Sequence, residues 1–139
     1  MMSAQVFLGD VAVGTELPVV VRNASCVQLF LYSAATWNPH RIHYDADYAR
    51  YEGHPDVIVH GPLQGAWLSQ YVTDWAGPRG RILNLSWQNR ASALPETDYE
   101  FRGVVESIDG DEVSLRVWEQ TPDGTILMPG EAKVRLPSR

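Results

Sequence analysis

The segment from Leu63 to Trp75 constrains the fold of this chain more than any other stretch. It shows the helical repeat of about 3.6 residues, and the predicted helix is apolar or aromatic on most sides. Pro62 suits the first turn of a helix, and Gly77-Pro78 ends it. A helix with so little polar surface is usually buried. We therefore expect a sheet to wrap around it.

The rest of the sequence supplies strands for such a sheet. β-branched and alternating patterns predict strands at 17–22, 81–91, 98–107, 111–120 and 125–136. Asp109-Gly110 is a strong hairpin signal. We expect the last four strands to form an antiparallel meander. One strand, a helical block and a meander indicate an α+β class, with an antiparallel sheet around a long central helix and residues 1–139 forming a single domain.

Two further helices are predicted before the long one. Residues 25–36 follow the helical period, and the apolar positions that do so are Val27, Phe30, Leu31 and Ala34. Cys26 falls in this apolar pattern, so we expect it to be a buried structural thiol. A shorter helix is expected from Asp45 to Tyr51, with Asp45 as its N-cap.

Charge and hydropathy narrow the classes of partner. The chain carries a net charge of −6 and one lysine in 139 residues, so it lacks clustered cations for phosphate backbones and no nucleic-acid partner is expected. No stretch reaches the roughly 18 apolar residues of a membrane span. The N-terminus shows no signal-peptide pattern. A cytoplasmic protein without a membrane partner is the resulting expectation.

The first predicted helix is followed by a dense polar run, Asn38-Pro39-His40-Arg41-Ile42-His43-Tyr44-Asp45. Pro39 ends the helix, so the run lies on an irregular turn where Asn38 and His43 can converge. Histidine has an ordinary pKa of about 6.5 and can exchange protons at neutral pH. His43 and His40 are therefore candidate catalytic residues. Asn38 can orient a water but cannot take its proton.

The two charged members of the run have weaker claims to a functional role. Asp45 can either hold an imidazole in one tautomer or cap the following helix, and the cap is favoured. Arg41 can either support the turn or bind a phosphate, and the supporting role is favoured.

A second motif, Val59-His60-Gly61, stands at the predicted start of the long helix. A backbone N–H at a helix start has no partner within the helix and lies in a weakly positive field. The N–H of Gly61 can therefore polarise a thioester or ester carbonyl and stabilise an enolate formed from it. Glycine would also let a substrate approach closely. The alternative is that His60-Gly61-Pro62 is only a tight turn.

Other chemistries fit the sequence less well. The potential metal ligands are His40, His43, Asp45, His54 and His60. Their spacings match no tight zinc template, so no metal is expected. The chain contains no G-x-S-x-G elbow, no phosphate-binding glycine loop and no dinucleotide fingerprint.

Together, these motifs resemble the MaoC-type dehydratase/hydratase family of hot-dog folds. That family carries D-x-N-P-x-H-x-D, then an aromatic residue and an alanine, and later V-H-G. The matching stretches here are Asn38–Asp45, Tyr48-Ala49 and Val59-His60-Gly61. The form H-R-I-H-Y-D is closest to the type-2 hydroxyacyl-thioester dehydratase branch. The segment from Tyr71 to Pro78 is also similar to small MaoC-like subunits of steroid side-chain dehydratases.

The resemblance implies a function as well as a hot-dog fold. Family members hydrate a trans-2-enoyl thioester, usually on CoA, or dehydrate the 3-hydroxyacyl thioester, in fatty acid or steroid side-chain metabolism among other settings. It implies no cofactor beyond CoA as the carrier of the substrate. It also implies a homodimer or a heteromer with another MaoC-like chain. His43 matches the family histidine, and Gly61 matches the glycine whose N–H binds the thioester carbonyl. His60, Asp45 and Arg41 are carried with them as substrate-site residues.

One departure from the family pattern leaves alternatives open. Without a gap, the family's catalytic Asp falls on Asn38 and its Asn falls on His40. His43, alone or with His40, would then activate water, or Asp45 would replace the missing base. Alternatively, the chain is a non-catalytic partner subunit. A hot-dog thioesterase is a third option, but the long helix offers only Asp74 as a carboxylate, near its far end.

Overall fold

The computed structural model describes residues 4–139. The strands are β1 (Val20–Arg22), β2 (Arg81–Trp87), β3 (Tyr99–Asp109), β4 (Glu112–Gln120) and β5 (Ile126–Arg135). The helices are α1 (Cys26–Ala35), α2 (Ala46–Tyr51) and α3 (Gly61–Ala76). Short 3-10 turns lie at Leu8–Asp10 and Arg41–His43. None of these helices is long and apolar enough to cross a bilayer.

The strands form one antiparallel sheet in the order β1-β3-β4-β5-β2. The β3-β4-β5 part of the predicted meander is confirmed. The position of β2 is corrected, because β2 pairs with β5 at the edge of the sheet and not with β3. After β2 the chain stays beside β5, where Gln88 and Arg90 donate backbone hydrogen bonds to Pro129 and Leu127. The connection to β3 therefore passes from the β2 edge of the sheet across β5 and β4.

The predicted first strand is shortened in the structure. Only Val20–Arg22 of the expected 17–22 forms a strand, which pairs with β3. Before it, Leu17 donates one backbone hydrogen bond to Gly103, and Glu16 forms an isolated bridge to Val104. The predicted hairpin at Asp109-Gly110 is confirmed, since β3 ends at Asp109 and Gly110 takes a left-handed φ of +60°. The side chains that alternate toward the core on β3 and β4 include Phe101, Val105, Val113, Leu115 and Val117.

Helix α3 packs against this sheet through one face. Trp67 on α3 makes an edge-to-face contact with Phe101 on β3, and Leu68 is fully buried. A Cβ at Gly65 would overlap the ring of Trp87, so glycine allows β2 to approach the helix closely. The opposite face is exposed, at Ala66, Gln70, Thr73 and Asp74. The expectation of burial on almost all sides is therefore wrong for that face.

Helix α1 is where the sequence predicts, but it presents a different face to the core. Ser25 caps it by accepting a hydrogen bond from the Gln28 N–H. Its buried residues are Leu29 and Ser33. The apolar positions used to predict it are exposed instead, and Cys26 is exposed at its first position, so the expected buried thiol is wrong. The N-cap predicted for α2 is confirmed, since Asp45 accepts from the Tyr48 N–H at 3.1 Å.

Candidate active site

The side chain of His43 is held in one tautomer by the backbone. It lies on the turn Arg41–His43 between α1 and α2 and is only 7% exposed. Its Nδ1 is 2.7 Å from the carbonyl oxygen of Ile58. A carbonyl can only accept, so Nδ1 carries the hydrogen and Nε2 of the neutral ring is a proton acceptor. Burial lowers the pKa of His43 below its ordinary value of 6.5, which favours this neutral form.

His60 supports the ring of His43. The two imidazoles are stacked with centroids 3.7 Å apart and planes 18° apart. His60 is fully buried, and its Nε2 is 2.7 Å from the Oγ of Ser33 on α1. Burial, together with the neighbouring His43, lowers the pKa of His60 to about 4, so this ring is neutral at pH 7. His60 therefore connects His43 to α1, since it stacks on the ring of His43 and hydrogen-bonds Ser33.

His43 and Gly61 line the same cleft. Its volume is about 200 Å³, and its lining includes His43, Gly61, Gln64, Asn89, Arg90 and Ser92. Gly61 is the first residue of α3, and His60 before it has the extended φ and ψ of −60° and 133° expected of an N-cap. The Gly61 N–H is therefore one of the free donors of the helix start. His43, whose Nε2 can accept a proton, and Gly61, whose N–H has no partner within the helix, therefore line one small cavity.

The structure shows a packing constraint at position 61 that could not be predicted from the sequence. A Cβ at this position would lie 3.2 Å from the Oδ1 of Asn89, which is a tight contact. Glycine therefore makes room for Asn89. The sequence reasoning expected this space to admit the substrate.

Sequence patterns did not single out three polar residues at or beside the cleft, which are Gln64, Asn89 and Glu119. Gln64 lines the cleft, donates from Nε2 to the Oε2 of Glu119 at 2.6 Å, and accepts at Oε1 from the Nδ2 of Asn89 at 3.2 Å. Glu119 on β4 is fully buried, and burial raises its pKa to about 7. Two signals were available. Gln64 lies one helical turn after Gly61, and Glu119 continues the core-facing alternation of β4.

The remaining predicted site residues make other contacts in the structure. Asn38 accepts a hydrogen bond at Oδ1 from the backbone N–H of His40 at 3.3 Å. The His40 ring is about half exposed and lies 3.5 Å from a carboxylate oxygen of Glu52. Neither side chain is part of the cleft lining given by the described residues. Their role in positioning a water remains a prediction.

Asp45 and Arg41 form a surface pair beside α2. Arg41 donates from Nη2 and Nε to the Oδ2 of Asp45 at 2.6 and 3.1 Å. This contact, with the Tyr48 N–H, lowers the pKa of Asp45. The favoured interpretation of Asp45 as a helix cap is confirmed, and the structure adds an ion pair between Asp45 and Arg41 that the sequence did not predict. Within residues 4–139, no group of three or more His, Cys, Asp or Glu side chains is placed to hold a metal ion.

Proteins of similar sequence show the family to which this chain belongs. The family model for hydroxyacyl-thioester dehydratase type 2 matches residues 17–95, which include His43 and Gly61. The mesaconyl-C(4)-CoA hydratase of Chloroflexus aurantiacus is 36% identical over 97 residues, covering 69% of this chain and 32% of that protein. The mitochondrial hydroxyacyl-thioester dehydratase type 2 of Saccharomyces cerevisiae is 40% identical over 88 residues, covering 61% and 31%.

The fold has a match among solved structures. A chain of the ChsH1-ChsH2 complex from Mycobacterium tuberculosis superposes with a TM-score of 0.81 and 22% identity, over 90% of this chain and 98% of that one. This likeness shows the fold, and the expected hot-dog fold is confirmed. The chain spans about a third of the length of the two curated relatives. Because the family model covers more than half of the chain, this protein belongs to the hydroxyacyl-thioester dehydratase type 2 family of MaoC-like hot-dog proteins.

Proposed function

We propose that this chain contains an active site for the hydration of a trans-2-enoyl-CoA and for the reverse dehydration of a 3-hydroxyacyl-CoA. The observation that carries the proposal is the shared cleft. His43 Nε2 is a proton acceptor on one wall, and the Gly61 N–H is a free donor at the start of α3. A conjugated acyl thioester presents two ends that match these groups, an electrophilic C3 and a carbonyl oxygen.

The proposed reaction uses these two groups in sequence. His43 Nε2 takes a proton from water while the water oxygen bonds to C3 of the enoyl group. The electrons of the double bond move toward the thioester carbonyl, and the Gly61 N–H stabilises the oxygen of the resulting enolate. The imidazolium of His43 then gives its proton to C2. The net change is the addition of one water, and the thioester bond stays intact.

His43 is assigned as the general base because Asn38, an amide, stands where the family has its catalytic Asp. Asn38 cannot accept a proton, and Asp45 is engaged by Arg41 and by the N–H of Tyr48. The neutral, tautomer-fixed ring of His43 is the acceptor that the described residues offer in the cleft. CoA as the carrier is supported by the named substrate of the Chloroflexus relative.

A product assay tests this function. The purified chain is incubated with enoyl-CoAs that range from crotonyl-CoA to bulky acyl groups, and the products are identified by mass spectrometry. We expect a product that is heavier by one water and retains CoA. Release of free thiol in place of this product would favour a hot-dog thioesterase. That alternative has little support, since Asp74 lies on the exposed face of α3, near its end, and not in the cleft.

A second candidate function is that of a subunit that needs a partner for turnover. Two observations favour it. Asn38 stands where the family has its catalytic Asp, and α1 exposes Val27, Phe30 and Leu31 by 67, 57 and 58%. The structurally similar ChsH1-ChsH2 protein is a complex of two kinds of subunit. The same series of enoyl-CoAs is therefore tested with the chain alone and with a second MaoC-like chain added. Turnover that appears only with the partner would select this candidate.

A further inference from the structure

The side-chain amide of Gln64 has a fixed orientation in the cleft. Its Nε2 faces a carboxylate oxygen of Glu119, and its Oε1 faces the Nδ2 of Asn89. Turning the amide over would bring its NH₂ group against the NH₂ group of Asn89. Gln64 is 2% exposed and lines the cleft with His43 and Gly61. The cleft therefore contains an oriented amide that has no role in the reaction proposed for His43 and Gly61.

Glu119 has no evident structural reason to be in the core. It occupies a core-facing position of β4, in register with Val113, Leu115 and Val117, and is fully buried. Its Oε2 accepts from Gln64, whereas its Oε1 is buried without a hydrogen-bond partner among residues 4–139. A buried carboxyl that is only half satisfied costs stability. Its one hydrogen bond orients Gln64.

Helix geometry brings the amide of Gln64 toward Gly61. The two residues are three positions apart and so lie on the same face of α3. Side chains on a helix lean toward its N-terminus, which directs Gln64 over the turn that begins with Gly61. Asn89 contacts both, because its Nδ2 bonds Gln64 and its Oδ1 is the atom nearest to a Cβ at Gly61.

We propose that Gln64 contacts the substrate and shares the thioester carbonyl oxygen with the Gly61 N–H, and that buried Glu119 is the positioning residue that aims it. An amide nitrogen carries two hydrogens. One donates to Glu119, and the other is available to a ligand in the cleft. The inference rests on the proposed hydratase function. It adds a second donor to the carbonyl site and gives the buried carboxyl a role.

Gln64→Met tests the donor, because methionine keeps a similar length and removes the amide. We expect kcat for enoyl-CoA hydration to fall at least about tenfold with little change in KM, since the donor acts on charge that develops in the transition state. Gln70→Met is the matched control. It makes the same replacement on the exposed face of α3, where Gln70 bonds Arg22, and should keep wild-type turnover.

Two variants at position 119 test the positioning role. Glu119→Gln keeps an oxygen that accepts from Gln64, so activity should stay within about threefold of the wild type. Glu119→Leu removes that acceptor and should lose about as much kcat as Gln64→Met. If Glu119 acts through Gln64, the Gln64→Met/Glu119→Leu double variant should lose no more than Gln64→Met alone. Thermal unfolding is measured for every variant.

The outcomes separate this inference from the proposed function. If Gln64→Met keeps full turnover while replacement of His43 abolishes it, the inference is overturned and the proposed function stands. Losses that add in the double variant, or equal losses in Glu119→Gln and Glu119→Leu, would overturn the positioning role. A wild-type protein without hydration, alone or with a partner chain, would overturn both. If Gln64→Met does not fold, the comparison of the two Glu119 variants decides.

Discussion

His43→Ala is expected to lower the kcat/KM for hydration of crotonyl-CoA, or of a longer enoyl-CoA, by at least about a hundredfold. The substitution removes Nε2 of His43, the imidazole proton acceptor that residues 4–139 offer in the cleft, in a ring whose tautomer is fixed by the Ile58 carbonyl. The decay of the ultraviolet absorbance of the conjugated thioester measures the rate. Unchanged turnover would remove His43 from the mechanism.

Two further variants keep this result interpretable. His43→Ala also removes the ring stacked on His60, so a loss of fold must be separated from a loss of chemistry. His43→Gln retains a side chain that can donate to Ile58 but cannot take a proton, and it should be as inactive as the alanine variant. His54→Ala removes a histidine outside the cleft lining and should retain activity.

The wild-type pH profile should carry the same signature. The reaction in the hydration direction needs His43 in its neutral form. Burial lowers the pKa of His43, so the neutral form persists below the ordinary value of 6.5. As the pH falls through this lowered pKa, kcat/KM should fall, and its acid limb should therefore lie below pH 6.5.

Gly61→Pro is expected to have an effect of similar size, because proline removes the N–H that polarises the carbonyl. Loss of one such donor typically costs about a hundredfold to a thousandfold in kcat. Proline is suited to the first position of a helix. The extended backbone of His60, at φ −60° and ψ 133°, is one that a residue preceding proline adopts. The measurement is kcat for enoyl-CoA hydration.

Gly61→Ala is the matched control for the proline variant. Both place a Cβ about 3.2 Å from the Oδ1 of Asn89, and only proline removes the N–H. The proline variant should therefore be slower than the alanine variant by about a hundredfold or more, at similar thermal stability. Equal activities in the two variants would show that the space at Gly61 matters and that its N–H does not.

The fold could be predicted largely because its signals are local. The helical period with Pro62 and Gly77-Pro78 located α3, and Asp109-Gly110 located the β3–β4 hairpin. The pairing of β2 with β5 is not local. It depends on residues 88–91, which stay beside β5 before the chain crosses to β3, and the spacing of turn residues does not encode that path.

Helix α1 shows why periodicity locates a helix better than it predicts burial. Val27, Phe30 and Leu31 share a face, yet the chain buries Leu29 and Ser33. Ser33 hydrogen-bonds the Nε2 of His60, so the inward side of α1 carries a polar contact with the site that an apolar period does not predict. Cys26 lies on the same side of α1 as Leu29 and Ser33, but it is the first residue of the helix and is exposed there.

The candidate site was predictable in its motifs but not in its support. His43 and Gly61 could be singled out because dense polar residues and a helix start carry recognisable chemistry. Gln64 lies on α3, Asn89 in the segment after β2, and Glu119 on β4, and only the packing of α3 on the sheet brings them together. The stacking of His43 on His60 likewise depends on the path of residues 57–59, where the N–H of Ile58 donates to Ile42 and that of Val59 to Ala93.

A crystal structure of the protein with a bound 3-hydroxyacyl-CoA tests the central claim most directly. We expect the thioester oxygen within hydrogen-bond distance of the Gly61 N–H and the 3-hydroxyl within the same reach of His43 Nε2, at opposite ends of one acyl group. An acyl group that occupies another surface, or that reaches only one of these two atoms, would contradict the account.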